Sequence, residues 1–347
     1  MTTDQEKRPG SDDKAPRAAN IFDVARLAGV SHQTVSRVLN DVPNVRPATR
    51  ERVEQAIAQL RYSPSPAARA LVTRRTRTIG LIAPGTSEYG PTSTAMNFNV
   101  AARAARFSVD TMTIPESDPS VIRASVESLL RQRVDAIVLV VADIAVLEVV
   151  LGLDLNIPIV AVAASTRRST AIVSIDQYRG ARAAVRHLIE LGHKRIIHLA
   201  GPPEAPDAIE RIRGWRDEMS ENRLEIGDVR HGDWSARSGY ELGMALSDIG
   251  PGTAVFAAND YMALGLMSAL DARGLTVPRD VSIVGFDDVP EASYLLPPLT
   301  TVRQDFAALG GLIMQKVLIA IEEPENVTVS TPLPTRLVVR KSTHPVA

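Results

Sequence analysis

The sequence predicts an α/β protein that combines a small N-terminal helical head with a larger core of parallel sheets. Three observations support this fold class. From residue 79 onward, apolar stretches of strand length alternate with segments of helical periodicity, which is typical of parallel sheets covered by helices. Residues 20–62 instead contain only short helical patterns. No apolar run approaches the roughly 18–20 residues that a membrane-spanning helix needs.

Length and composition describe a globular protein of two or three domains. The chain has 347 residues, of which 45% are hydrophobic and 23% charged, which provides enough apolar mass for real cores. It has no cysteine, which excludes disulfides, thiolate nucleophiles and cysteine-based zinc sites and fits a reducing compartment. Residues 1–19 are polar, so we expect a disordered tail without an export signal and a cytoplasmic location.

The small net charge of −1 conceals an asymmetry between the head and the rest of the chain. Residues 20–78 contain ten arginines against four acidic residues, a net charge of +6, whereas the residues from 79 onward carry −7. A basic segment on an acidic body favours a polyanion, nucleic acid above all, as the partner of the head. A solvated charged surface is the alternative.

The head is predicted to begin with two short helices. Asn20 is expected to cap a first helix over residues 21–27, and Ser31 a second over residues 32–39. Gly29 lies in the tight connection between them. Two short helices joined by a glycine turn within a basic segment are typical of a helix-turn-helix, although any small helical hairpin would share the pattern.

The outer face of the second helix carries side chains suited to DNA. Glutamine can bond adenine, arginine can bond guanine or phosphate, and hydroxyl groups commonly hold phosphates. The four candidates on this face are His32, Gln33, Ser36 and Arg37. A loop over residues 40–46 follows, and Pro47 suits the first position of a third helix that ends near residue 60.

The segment after the head contains a short helix signal. Ser65 followed by Pro66 forms an N-cap and first-position pair. A helix there would be too short to be stable alone, but it could fold on DNA, with Ala68 on a flat face and Leu71 as an apolar wedge between base steps. An ordinary linker with one leucine is the alternative.

The core is predicted to contain two subdomains, because its strands exceed one comfortable sheet. The strand candidates are residues 79–83, 109–113, 136–141, 159–163, 171–175, 196–200, 254–257 and 281–286. The helical patterns lie near residues 95–107, 121–132, 178–191, 208–220, 236–246 and 261–273. A cleft between two such subdomains is the natural place for a small ligand.

The core shows no catalytic motif. It lacks a phosphate-binding glycine–lysine loop, a metalloprotease helix and a nucleophile elbow. His187, His193 and His198 surround a helix end and the next strand, where capping or core roles are expected. We therefore predict that the protein is not an enzyme, and we expect neither a metal nor a cofactor.

Polar residues at strand ends mark candidate ligand contacts. Asn259 and Asp260 follow the strand at 254–257, and Asp287 follows the strand at 281–286, at the edge where open α/β sheets bind ligands. Helix capping is the alternative, and we expect it for Asp260. Trp234 lies in a loop before a helix, where it can serve as a platform for a sugar ring or pack in the core.

Two further residues share one helix of this half. Arg211 and Trp215 lie four positions apart within the helical pattern at 208–220, and we expect Trp215 to pack in the core.

The head and the segment after it contain a distinctive set of motifs. They are the run IFDVARLAGVS at residues 21–31, TVSRVLN at residues 34–40, Tyr62 with Pro64, and Ala68-Arg69 with Leu71. In these motifs the chain resembles the LacI/GalR family of bacterial transcription regulators. It departs where many members carry Asn at position 65 and a Ser or Thr cap at position 46.

That resemblance implies a recognition helix that begins with His32 and Gln33 and lies in the major groove. It also implies a hinge helix within residues 63–78 that inserts Leu71 into the minor groove of a palindromic operator. The implied DNA-binding residues are Ser31, His32, Gln33, Thr34, Ser36, Arg37, Asn40, Tyr62, Ala68 and Leu71.

The core resembles the effector domain of the same family, which is similar to periplasmic sugar-binding proteins. Matching stretches surround Arg211, Asn259, Asp287 and Gln304, and the resemblance implies that these residues bind an effector. The stretch Gly-Asp-Trp-Ser at residues 232–235 occurs in sugar-responsive members, so Trp234 favours a carbohydrate.

The implied organisation is a helix-turn-helix domain over residues 20–62, a hinge helix and linker over 63–78, and an effector-binding and dimerisation domain over 79–347. The last divides into residues 79–175 with 305–330 and residues 176–304 with 331–347. No leucine heptads follow residue 341, so we expect a homodimer on double-stranded DNA at the nucleoid, with no membrane contact.

Two other classes of protein share parts of this pattern. A solute-binding protein for transport would have the cleft but neither the basic head nor a cytoplasmic location. A sugar-modifying enzyme on the same scaffold would need a nucleophile or a phosphate loop. Specific retention of DNA would exclude the first, and turnover of a bound sugar would support the second.

Overall fold

In the computed structural model the chain forms two compact units, Met1–Thr76 and Arg77–Ala347. The boundary between them lies within the segment 63–78. The described residues are 19–39, 45–62, 75–85, 87–114, 118–140, 144–153, 155–164, 172–227, 229–247, 249–327 and 330–346.

The described part of the first unit contains three helices: α1 (Ile21–Ala28), α2 (His32–Leu39) and α3 (Pro47–Gln59). Asn20 caps α1 reciprocally with Asp23, each side chain accepting the other's backbone N–H at 3.0 Å, so this predicted cap is confirmed. Gly29 follows with φ 65°, a left-handed conformation that glycine adopts without strain. Val24, Val35 and Val53 are fully buried and join the three helices in one small core.

The second unit alternates strands and helices. Its strands are β1 (Thr78–Pro84), β2 (Ser108–Ile114), β3 (Ala136–Val140), β4 (Ile159–Val162), β5 (Ile172–Val173), β6 (Arg195–Ala200), β7 (Arg230–His231), β8 (Thr253–Ala257), β9 (Val281–Asp287), β10 (Thr300–Arg303) and β11 (Arg336–Val338). Its helices are α4 (Tyr89–Ala104), α5 (Pro119–Arg131), α6 (Ile144–Leu151), α7 (Gln177–Glu190), α8 (Pro206–Glu221), α9 (Ala236–Ala245), α10 (Asp260–Ala272) and α11 (Phe306–Glu322). Short 3₁₀ helices span Pro290–Ser293 and Pro324–Asn326.

These strands form two sheets, in agreement with the predicted fold class. The first sheet has the order β2-β1-β3-β4-β5, and all its strands are parallel. The second has the order β11-β10-β9-β8-β6-β7, in which only β11 is antiparallel to its neighbour. Each sheet has an apolar cluster on both faces, as expected for parallel sheets between helices.

The chain crosses between the two sheets at neighbouring points. One crossing follows β5 and another follows β10, at Gln304. A third passes Leu333, whose carbonyl accepts the N–H of Asp176 at 2.8 Å and whose N–H donates to Ser174 at 2.9 Å. Crossing segments that hydrogen-bond to each other form a natural hinge between two subdomains.

The structure also contains elements that the sequence patterns did not indicate. Helices α6 and α11 and strands β7, β10 and β11 belong to this group. Helix α11 packs on α4 and belongs to the cluster beneath the first sheet. Among the described residues, no helix is both long enough and apolar enough to cross a membrane.

His198 on β6 makes the free energy of unfolding depend on pH. Its ring is fully buried against Phe256, its Nδ1 donates to the Phe256 carbonyl at 2.9 Å, and its Nε2 has no partner in the described structure. Burial lowers the pKa of this imidazole to about 3, from 6.5. Because only the unfolded chain then gains a proton below pH 6.5, we expect stability to fall as the pH drops from 6.5 toward 3, by about 1.4 kcal/mol per pH unit.

Urea unfolding at pH 7, 6 and 5 measures this dependence. Carboxyl groups with shifted pKa values also contribute, so the informative quantity is the difference between the wild type and His198→Phe. That difference should shift in favour of the variant as the pH falls. Parallel pH profiles for the two proteins would contradict the assignment.

Candidate functional site

The first candidate site is the outer surface of α2 in the head. His32, Gln33 and Arg37 are exposed, and Val35 and Val38 turn the opposite face into the core. The His32 ring lies 5.2 Å from the ring of Phe22, which is itself 58% exposed. A polar, cationic helix face held by a buried valine pair is the arrangement that a major groove accepts.

The start of α2 is also organised. The Thr34 N–H donates to the Ser31 hydroxyl at 3.2 Å, and the two hydroxyl oxygens lie 3.0 Å apart. This is the predicted Ser31 cap. Tyr62 is half-buried against the core of the head, with its N–H donating to the Ile57 carbonyl at 2.9 Å. The remaining predicted DNA contacts, at Asn40, Ala68 and Leu71, lie outside the described residues.

Replacing Gln33 and replacing Arg37 should weaken DNA binding in different ways. Gln33→Ala should cost about 1–3 kcal/mol on the preferred sequence and little on others, because a glutamine at this position would read a base edge. Arg37→Ala should weaken binding more evenly and reduce the salt dependence by about one ion, because a cation neutralises a phosphate. Gln55→Ala, on the exposed face of α3, is the matched control.

Titrations of a selected duplex and of random duplexes, at several salt concentrations, measure both effects. If Gln33→Ala weakened binding to both duplexes equally, base recognition by this residue would be contradicted.

The second candidate site is a cleft between the two sheets of the second unit. It holds about 470 Å³ of empty space, including the part that is open to solvent. One wall is the loop and first turn of α4, at Glu88, Tyr89, Gly90 and Pro91. The other wall comes from the second sheet and its helices, at Ala205, Pro206, Asp207, Arg211, Trp234, Asn259 and Asp287.

Trp234 combines the two roles considered for it. Its ring is only 9% exposed and belongs to an apolar cluster, yet it also lines the cleft. Gly201 makes room for it, since a Cβ atom there would lie 2.3 Å from the ring. Asn259 Nδ2 donates to the Trp234 carbonyl at 2.9 Å. This bond fixes the loop at a residue with φ 71°.

Arg211 lies on α8 and is nearly fully buried. Its Nε donates to Gln177 Oε1 at 2.9 Å, and Nη1 donates to the Ala258 carbonyl. Its Nη2 lies 3.7 Å from carboxylate oxygens of both Asp207 and Asp287. The guanidinium carbon also lies 3.9 Å from the centre of the Phe286 ring and 5.3 Å from that of Trp234. Arg211 is therefore the central cation of the cleft wall.

A chain of side-chain amides connects this wall to the crossing segments. Gln304 Nε2 donates to Asp287 Oδ1 at 2.7 Å, and Gln177 Nε2 donates to Gln304 Oε1 at 2.8 Å. Gln177 begins α7 and Gln304 follows β10, where the chain passes between the two sheets. Groups that face a ligand are thus hydrogen-bonded to the hinge.

Asp287 is held in a strained backbone conformation with φ 115°, which costs on the order of 1–3 kcal/mol. The next residue, Asp288, has φ 56° and is held by ion pairs with Arg303 and Arg340. Burial raises the pKa of Asp287 to about 6, although Arg211 and the Gln304 hydrogen bond oppose the shift. Strain and a perturbed pKa at one cleft residue are typical of a functional position.

The predicted helix cap at Asp260 is wrong. Asn259 occupies the cap position, with extended backbone angles, and accepts the Met262 N–H at 2.8 Å. Asp260 is already helical, so its carboxylate points away from the helix start and instead accepts the Val289 N–H and the Thr301 hydroxyl. Asp260 therefore ties the end of β9 to β10 beneath Asp287.

Most residues of the cleft wall and of its hydrogen-bond network were not identified from the sequence, among them Asp207, Gln177 and Glu88. Asp207 precedes Arg211 by four positions on α8, a spacing that favours an acid–arginine pair and could have indicated it. Gln177 and Glu88 gave no such signal, because their positions depend on how the two sheets meet. Within the described structure, no three His, Asp or Glu side chains are grouped as metal ligands.

Comparison with known proteins places both sites in a family. Residues 20–65 match the family described as "Bacterial regulatory proteins, lacI family", and residues 185–343 match the "Periplasmic binding protein-like domain". The lactose operon repressor of Escherichia coli (strain K12) is 35% identical over 329 residues, which cover 94% of this chain and 91% of that protein.

Solved structures show the same architecture. The lac repressor dimer bound to operator and the anti-inducer ONPF superposes with a TM-score of 0.82 at 33% identity, covering 94% of this chain and all of that chain. The transcriptional regulator CelR in complex with cellobiose gives 0.70 at 31% identity, covering 93% of this chain and 99% of that chain. With its DNA-binding head and its ligand cleft on two parallel sheets, the chain belongs to the lacI family of bacterial regulatory proteins.

Proposed function

We propose that the protein is a transcriptional repressor that binds a palindromic operator as a homodimer and releases or retains it in response to a carbohydrate. Its site of action is the nucleoid. The observation that carries the proposal is the convergence of Trp234, Arg211, Asn259 and Asp287 on one wall of a cleft between two subdomains. An aromatic ring beside carboxylate and amide groups is the usual composition of a sugar site.

The names of the relatives support the carbohydrate. One is a lactose operon repressor, and another was solved with cellobiose. The α2 surface, with Ser31, Thr34 and Ser36 beside His32, Gln33 and Arg37, supplies the contacts to the operator. Ala68 and Leu71, which lie outside the described residues, are further proposed contacts to the operator.

Exposed apolar side chains of the second unit support the homodimer. Met96 and Val100 lie one turn apart on α4 and are 61% and 62% exposed, and Tyr294 and Leu296 are 84% and 93% exposed. Large apolar side chains at this exposure favour burial against a partner surface. A second copy is the partner that fits a two-fold operator.

Hydrogen bonds connect the side chains of the cleft wall to the hinge. A sugar bound at Asp287 and Arg211 would bond side chains that are themselves bonded to Gln304 and Gln177 at the crossing segments. A change in the angle between the subdomains would alter the separation of the two hinge segments in a dimer. A ten- to hundredfold change in operator affinity requires a coupling free energy of about 1.4–2.7 kcal/mol.

The two tryptophans of the chain allow a sharp test. Trp215 is buried in the core, where its Nε1 donates to the Ile196 carbonyl. Because the chain has two tryptophans, Trp215→Phe leaves Trp234 as the only indole. We expect an effector sugar to change the Trp234 emission and to change operator affinity at least tenfold, with the same half-saturation concentration.

Trp234→Phe is the matched control, because it leaves the core indole alone. Its emission should not respond to the sugar, and its affinity for the sugar should drop. If a sugar changes operator affinity in the wild type but leaves the Trp234 emission unaltered, the effector does not bind beside Trp234. If no sugar changes operator affinity, the carbohydrate proposal is wrong.

A further inference from the structure

Among the described residues, the cleft lining carries more negative than positive charge. Its charged members are Glu88, Asp207, Asp287 and Arg211. Asp233, one residue before Trp234, adds a further carboxylate close enough to repel Glu88. A cavity with this balance is poorly matched to an anionic ligand such as a sugar phosphate.

Arg211 does not compensate for the excess. Its guanidinium is shared between Gln177, the Ala258 carbonyl, Asp207 and Asp287. Glu88 lies across the cleft on the α4 side, at the position that precedes the helix, and makes no capping hydrogen bond. Within the described structure, the Glu88 carboxylate has neither a hydrogen bond nor an ion pair. Its strongest electrostatic neighbours are the three aspartates.

Three carboxyl groups of the cleft have raised pKa values. Burial, together with Asp207, Asp287 and Asp233, raises the pKa of Glu88 to about 7. Burial likewise raises the pKa of Asp207 and of Asp287. Near neutral pH, part of the Glu88 population is therefore protonated, which reduces the excess negative charge of the cleft.

We propose that the effector is a cationic carbohydrate, a sugar whose protonated amine pairs with Glu88 while its hydroxyl groups bond the Arg211–Asp287 wall. This proposal rests on the proposed function, since it names the chemical class of the ligand of that same cleft. The cavity and the Trp234 platform define the site, and the acidic lining defines the charge of its ligand.

Matched sugars that differ only at the amine test the proposal. Calorimetric titrations of the full-length protein at pH 7 would compare glucosamine, glucose and N-acetylglucosamine, and likewise galactosamine and its two counterparts. A disaccharide series would compare chitosan disaccharide, cellobiose and N,N′-diacetylchitobiose. We expect at least one amine to bind tenfold or more tightly than both of its neutral counterparts.

Glu88→Gln should reduce that amine preference to about one, because it removes the charge but keeps the shape. Glu127→Gln on the exposed face of α5, outside the cleft, should leave the preference unaltered. Binding of the amine should also release protons from the wild type, as measured in buffers of different ionisation enthalpy. Glu88→Gln should reduce this release, because Asp207 and Asp287 are then the remaining cleft carboxyl groups with raised pKa values.

Each outcome separates this proposal from the proposed function. If neutral sugars bind as tightly as their amines, or if Glu88→Gln keeps the preference, the cationic ligand is wrong and the carbohydrate effector stands. If putrescine, a diamine without a sugar ring, binds through Glu88 and no sugar does, the carbohydrate is wrong and the cationic ligand stands. If no compound of either set binds, both are wrong.

Discussion

Arg211→Ala should abolish the response to effector and also lower the free energy of unfolding by about 3–5 kcal/mol. The guanidinium is 3% exposed and is the cation nearest to Asp287, which is 6% exposed. Truncation leaves that carboxylate with Gln304 alone and leaves the Ala258 carbonyl without its side-chain donor. Affinity for the effector should fall by roughly 100-fold or more, because a buried charge pair loses one partner.

The double variant Arg211→Ala with Asp287→Asn separates stability from binding. Removing the orphaned charge should recover part of the stability, because a neutral amide needs no buried counter-ion. It should not recover effector affinity, since both recognition groups are then absent. Urea unfolding and effector titration of the four proteins of this cycle measure the two effects.

Arg237→Ala is the matched control on α9. Its side chain is 85% exposed in an ion pair with Glu241, so its loss should alter stability by less than about 0.5 kcal/mol and leave effector binding intact. If the changes in unfolding free energy of the two single variants added up to that of the double variant, Arg211 and Asp287 would not stabilise each other, which would contradict the prediction.

The head shows how far local signals extend. Asn20, Ser31, Gly29 and Pro47 act at the positions where their chemistry predicts them, because caps and turns depend on residues within one helical turn. Eight of the eleven described core strands followed in the same way from apolar runs bounded by turns. Such features are encoded by neighbours in sequence, so a single chain suffices to predict them.

The cleft shows where local signals end. Asp287 ends β9 and Trp234 lies between β7 and α9, so the topology places both at the ligand edge of the second sheet. Glu88 belongs to the other sheet and faces them only because the chain crosses between the subdomains three times. The prediction for Asp260 is wrong for a simpler reason, because helix α10 begins one residue earlier than a cap at Asp260 requires. Asn259 is therefore the cap, and the buried Asp260 carboxylate accepts hydrogen bonds from Val289 and Thr301 instead.

Helix α11 was missed for another reason. Its sequence is apolar on most sides and contains the pair Gly310-Gly311, so it has no polar face to reveal a period of 3.6 residues. It packs beneath the first sheet and against α4, which accounts for its apolar surface. A helix that is buried on several sides therefore lacks the alternation of polar and apolar residues from which a helix is predicted.

Gly310→Ala and Gly311→Ala should therefore have opposite effects on stability. A Cβ atom at Gly310 would lie 2.5 Å from the backbone carbon of Asn97 on α4, and backbone cannot move aside without separating the two helices. We expect a loss of about 1–3 kcal/mol or more. A Cβ atom at Gly311 would meet nothing within 4 Å, so we expect a gain of about 0.5–1 kcal/mol from the reduced freedom of the unfolded chain.

Urea unfolding of both variants at one pH measures the pair. The two substitutions add the same methyl group to adjacent positions of one helix, so helix propensity is equal for both and cancels in their difference. That difference, about 1.5–4 kcal/mol, isolates the close packing of α11 on α4. Equal effects would mean that α11 does not pack through Gly310. Because α11 begins two residues after Gln304, a destabilised α11 should also weaken effector binding in Gly310→Ala and not in Gly311→Ala.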